Sequence, residues 1–101
     1  MSEMTVYHTN VDSNKCVCVS KKRLCEAGFN DGDVIGLYVN KHFPNDVIDI
    51  IKYKKDHNNK RLIAKKVVAK NQSVKFTFVT SHVGESVSII VEKENIRVSR
   101  I

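Results

Sequence analysis

The chain has 101 residues and a formal net charge of +6 at pH 7, with 42% hydrophobic and 28% charged residues. That is one domain, over residues 1–101, with room for a modest core and too little chain for a deep cleft between domains. No apolar run is long enough to cross a bilayer and no signal-peptide pattern occurs, so the sequence places the chain in the cytoplasm, with no membrane partner.

Taken in chain order, Thr5 to Val11 alternates loosely and predicts an edge strand, and Asp12-Ser13-Asn14 is a turn cluster. Lys15 to Val19 predicts a short strand. Ser20 then suits an N-cap, because its hydroxyl can accept from the free amides of the next turn. Lys21 to Ala27 predicts a helix of about two turns, too short to stand without packing. Leu24 and Ala27 give that helix its apolar stripe. Gly28 sits where a left-handed stop is wanted, and Phe29 can fold back as the apolar contact of the cap. Asn30-Asp31-Gly32-Asp33 is a tight polar turn. Val34 to Val39 predicts a strand whose Gly36 marks a place where another backbone comes close. Lys41 to Asp46, with Pro44, predicts a loop, Val47 to Lys54 a strand, and Asp56 to Asn59 a second turn. Arg61 to Lys70 mixes helix formers with β-branched residues, and we assign it to strand. Val74 to Val79 alternates Lys75 and Thr77 with Phe76 and Phe78. After a turn over Thr80 to Glu85, Ser86 to Glu92 and Ile96 to Ile101 form a predicted hairpin joined by Lys93-Glu94-Asn95.

The two ends of the chain repeat one theme: a strand, a connector, a turn of Gly and an acid, then a hairpin. Gly32-Asp33 serves the first copy and Gly84-Glu85 the second, giving pseudo-repeat halves 15–55 and 62–101. Two such halves in one chain could close a barrel and remove exposed strand edges.

Three cysteines leave at least one thiol unpaired, and Cys16 and Cys18 share a strand face at a spacing poor for a disulfide. With Cys25 and scattered histidines they give no recognised ligand spacing, so no metal or other cofactor is expected, and the thiols read as buried and structural. His8, His42, His57 and His82 read as surface or turn residues. Asp31 and Asp33 flank Gly32 as turn formers rather than paired catalytic carboxylates. Without a Gly-rich phosphate loop, a His-Glu-x-x-His helix or a Gly-x-Ser-x-Gly elbow, the chain does not read as an enzyme.

Charge is the stronger signal. Between Lys52 and Lys75 lie nine basic residues and one acid, Asp56, so that segment carries +8 against +6 for the whole chain. A concentrated cationic segment attracts polyanions, although lysines also blunt strand edges and keep a strand-rich chain soluble.

The run from Val19 to Val34 resembles the AbrB-like, or swapped-hairpin, transcription regulators of the cradle-loop and double-psi barrel group. Val19, Leu24, Ala27, Gly28, Phe29, Gly32, Asp33 and the strand from Val34 fall in that family's register, and the resemblance covers roughly residues 15–55. It implies a mainly β (α+β) fold, a small closed or partly closed barrel with one short helix. It also implies a DNA-binding transcriptional regulator, contacting phosphates through basic residues around the helix and neighbouring loops. In this sequence those are Lys21, Lys22 and Arg23, with Lys52, Lys54, Lys55, Lys60, Arg61, Lys65 and Lys66 as the second basic group. DNA is the expected partner of a monomer or homodimer. The alternative is a small protein-binding inhibitor or adaptor, of phage or mobile-element type, that targets a host protein. Convergence of the basic residues on one face favours DNA, whereas an emergent apolar patch favours a protein.

Overall fold

The computed structural model describes residues 4–42, 47–55, 60–77 and 82–100. The protein is mainly β with one short helix: β1 (Thr5–Asn10), β2 (Cys16–Val19), α1 (Lys21–Glu26), β3 (Val34–Asn40), β4 (Val47–Lys52), β5 (Lys60–Val67), β6 (Val74–Thr77), β7 (Ser86–Glu92) and β8 (Asn95–Arg100). A six-stranded antiparallel sheet in the order β1-β7-β8-β4-β3-β5 is joined by the two-stranded ribbon β2-β6. Together they form a partly closed barrel, in which β1 and β5 remain as edges of the larger sheet. No helix among the described residues is long and apolar enough to cross a membrane.

One core fills the space between sheet and ribbon. Strand alternation supplies it: Ile35, Leu37 and Val39 of β3, Ile48 and Ile50 of β4, Val87, Ile89 and Val91 of β7, and Ile96 and Val98 of β8 are all buried. Val17 and Val19 face Phe76 and Val74 across the ribbon and close the other side. Leu24, Ala27 and Phe29 complete it from α1 and its stop.

Six residues are too few to hold a helix by hydrogen bonds within it, so its ends matter. Ser20 accepts from the Arg23 amide as N-cap. At the other end Gly28 takes φ +91°, the Phe29 amide donates to the Leu24 carbonyl (3.0 Å) and the Gly28 amide to that of Cys25 (3.0 Å). This is a Schellman stop, whose apolar clasp is Phe29 on the core.

The segment assigned to strand over 61–70 is a strand, and the other element ends shift by local chemistry. It stops at Val67 because the Val68 amide donates to the Asp33 carbonyl and its carbonyl accepts from Gly32 (both 2.8 Å). β4 stops at Lys52, since the Lys54 amide turns to the Tyr38 hydroxyl (3.1 Å). β2 begins at Cys16 after Lys15 adopts a left-handed φ of 60°. Phe78, the Pro44 loop from residue 43, the turn over 56–59, His57, the start of the turn at Thr80 and Ile101 lie outside the described residues.

Two expectations are corrected. The thiols are not buried: Cys18 and Cys25 are exposed and Cys16 is half-buried, because Val17 and Val19 take the core face of β2 and Leu24 and Ala27 that of α1 and its cap. What comes close to Gly36 is a side chain rather than a backbone: a Cβ built there would stand 2.5 Å from Tyr38 Cε2.

The strand order is palindromic about the β8–β4 pair. Val68, after β5, is bracketed by Gly32 and Asp33; Val11, after β1, is bracketed in the same way by Gly84 and Glu85, at 2.8 and 2.9 Å. Hence β1, β2, β3 and β4 correspond to β5, β6, β7 and β8, and each correspondence spans one half of the chain.

Candidate nucleic-acid interface

The face of the sheet turned away from the core is not uniformly polar. Tyr38 on β3, Asp49 on β4 and Arg97 on β8 lie side by side across three strands, because Asp49 is opposite both of the others. Asp49 is 0% exposed. Arg97 Nε donates to its Oδ1 at 2.9 Å, and Lys60 Nζ, from β5, lies 3.1 Å from Oδ2 without hydrogen-bond alignment. The Asp49 hydrogen bond, and then its charge, raise the pKa of Arg97 above the ordinary arginine value. A carboxylate removed from water in this way is tenable because cations reach it from two directions.

Tyr38 organises the next layer. Its ring lies over Gly36, and its hydroxyl donates to the Lys54 carbonyl (3.0 Å) while accepting from the Lys54 amide. That fixes the chain as it leaves β4, leaving Lys54 and Lys55 exposed and Tyr53 half-buried. Lys65 Nζ then sits 4.3 Å from the centre of the Tyr53 ring, a cation–π contact. Lys65 thus sits on Tyr53 and Lys60 on the paired carboxylate, while the Tyr38 hydroxyl holds the backbone of the exposed Lys54, with Lys55 next in sequence.

The remaining expected phosphate-binding residues are placed elsewhere. Lys21 pairs with Asp31 and donates to the Ala69 carbonyl (2.9 Å). Arg23 donates to Glu26 Oε1 (2.8 Å) and stacks 3.4 Å from the centre of the Tyr7 ring, on β1 at the far edge of the sheet from β5. Lys22 is exposed and makes no ion pair among the described residues. Lys52 pairs with Glu94 at 3.1 Å. Arg61 is exposed, whereas Lys66, opposite Ile35, points to the other side of β5 from Lys65. The ten cations therefore do not share one face.

The helix cluster has its own electrostatics. Tyr7 donates its hydroxyl to Glu26 Oε2 (2.7 Å), and this bond first, then the Arg23 charge, holds the Glu26 carboxyl below its ordinary 4.5 in spite of some desolvation. A depressed carboxyl pKa contributes stability that is present above the unfolded value and lost as pH falls through the folded one. Tyr7→Phe is therefore expected to flatten the loss of stability below pH about 4.5, read as thermal midpoint against pH; an unchanged acid slope would refute the coupling.

Arg97, Asp49, Tyr38 and Tyr53 are the residues that reading the sequence missed. One signal was available: Asp49 interrupts the apolar run Val47-Ile48-Asp49-Ile50-Ile51. No group of three metal-ligating side chains is gathered among the described residues. Comparison with protein families, curated proteins and solved structures finds no match to this chain.

Proposed function

We propose that the protein binds DNA, as a cytoplasmic transcriptional regulator of AbrB-like type, through the β3–β4–β5 end of the outer sheet face. The observation that carries this reading is the seating of Lys65 on the Tyr53 ring, next to the exposed Lys54 and Lys55 whose chain the Tyr38 hydroxyl fixes, where the neighbouring Asp49 is buried and already paired with Lys60 and Arg97. Such a cluster offers charge to phosphates, and the described carboxylate within it is that buried, paired Asp49. The helix contributes less, since Lys21 and Arg23 are engaged within the protein.

A second reading, a protein-binding inhibitor or adaptor, draws on the exposed Leu62, Ile63 and Val67 of edge strand β5. That strand also carries lysines and an irregularity at Ile63, where Leu37 pairs with Ala64 but Tyr38 with Leu62. Both devices discourage strand addition, so the weight falls on the polyanion.

Fluorescence anisotropy with a random-sequence duplex tests it. Wild-type affinity should fall steeply with salt, and Lys54/Lys55/Lys65→Gln should make the slope shallower by about one for each phosphate that is no longer neutralised. Lys22→Gln should change the slope by less. Absence of binding at low salt, or an unaltered slope in the triple variant, overturns the reading.

A further inference from the structure

The correspondence between the two halves sets two cavities side by side for comparison. One, of about 240 Å³, opens between β1 and β2 and is lined by Thr9, Cys18, His8 and Arg23 among others. The other, of about 300 Å³, opens between the end of β5 and the start of β6 and is lined by Lys66, Gln72, Ser73 and Lys75 among others. Thr9 stands two residues before the bracketed Val11, as Lys66 stands two before the bracketed Val68. Cys18 lies between the core residues Val17 and Val19, as Lys75 lies between Val74 and Phe76. At matched positions, then, one cavity has a hydroxyl and a thiol and the other has two ammonium groups.

We propose that the β5–β6 cavity is a seat for a phosphate group. The first half builds the same strand geometry with uncharged side chains at these two positions, so the fold does not itself call for the lysines. Lys66, Lys75, Gln72 and Ser73 line one hollow, and their side chains are of the kinds, cationic and neutral donor, that a phosphate needs. Lys66 makes no ion pair among the described residues. Lys75 lies 3.3 Å from Asp12 Oδ2, with its side chain 54% exposed. Asp12 Oδ1 accepts from the Asn14 and Cys16 amides at 2.8 and 2.9 Å, so the carboxylate is held in place by the backbone and a phosphate competes with its Oδ2 for the Lys75 ammonium. The seat is separate from the outer-face cluster, because Lys66 and Lys65 point to opposite sides of β5.

The phosphate could belong to a nucleic-acid backbone or to a small free anion, and one experiment separates them. Amide spectra of the full chain are followed while inorganic phosphate, and separately a short random-sequence duplex, are titrated in. Saturable shifts centred on residues 66–75 are expected with phosphate. Lys66→Gln and Lys75→Gln should each weaken it by about tenfold, the weight of one charge-assisted hydrogen bond, and Lys22→Gln should not. If the same variants weaken the duplex too, the seat takes backbone phosphate; if they weaken phosphate alone, it takes a small anion. Unsaturable shifts spread over all exposed lysines, or wild-type phosphate affinity in both cavity variants, overturn the seat. Duplex binding with a silent cavity would leave the outer-face reading standing, and phosphate binding without duplex binding would leave only the seat.

Discussion

Arg97→Met is expected to destabilise the protein by about 3 kcal/mol, the lower end of the cost of stranding a buried charge, because Lys60 stays beside Asp49. The asymmetry within the pair makes this a sharp test. Asp49 is 0% exposed, whereas the side chains of Arg97 and Lys60 are 47% and 24% exposed. Removing the arginine leaves a carboxylate that cannot reach water. Removing the carboxylate leaves two cations on long stems that can. Asp49→Asn, nearly the same shape, should therefore cost only about 1 kcal/mol, and adding it to Arg97→Met should recover part of the larger loss. Urea unfolding of the three variants reads the cycle. Arg97→Met within about 1 kcal/mol of wild type would mean that Lys60 alone compensates the carboxylate, and that the pair is not what holds it in the sheet.

The position of that pair explains why its charges differ. Gly32-Asp33 corresponds to Gly84-Glu85, so Ile35 corresponds to Val87 at the same distance into its strand. Ile35 is opposite Lys52 and Val87 opposite Arg100, which makes Asp49 the counterpart of Arg97. The two face each other in the central β4–β8 pair, on the pseudo-two-fold axis. Identical halves would set one side chain against its own copy there, and two like charges would repel. A single chain lets the two positions diverge into an acid and a base.

Local devices were legible in the sequence. Ser20, Gly28 and Phe29 announce the start and stop of α1 because caps act through neighbouring amides. The alternation of Val87, Ile89 and Val91 gives β7 its core face because one face of that strand is dry and the other wetter. Alternation fails in β4, where Ile48, Asp49 and Ile50 are all buried, since Asp49, on the face away from the core, lies between Tyr38 and Arg97 and is reached by Lys60. Sheet order was not legible, because pairing Ile48 with Val98 is decided by the whole barrel rather than by local residues. The basic segment was visible as charge, but not its division. Whether a lysine is free or committed depends on partners as remote as Ala69 for Lys21 and Glu94 for Lys52.

Gly36→Ala carries the second large effect, and its sign is diagnostic. A glycine inside an ordinary strand is a weakness, and alanine there would gain a few tenths to about 1 kcal/mol through the unfolded state. Here the new Cβ would stand 2.5, 2.8 and 2.9 Å from Cε2, Cζ and the hydroxyl oxygen of Tyr38. The ring cannot yield cheaply, because it is buried and its hydroxyl is tied both ways to the Lys54 backbone. The expected result is a loss of about 2–3 kcal/mol, overpacking plus a broken hydrogen-bonded tether. Tyr38→Phe keeps the ring and loses only the tether, so it should cost about 1 kcal/mol. If Lys54 and Lys55 are held for DNA by that tether, both variants should also lower duplex affinity while leaving the core intact. A Gly36→Ala protein more stable than wild type would mean that the ring moves aside freely, and the tyrosine would then be a lid on the sheet rather than the fixed post that aims its lysines.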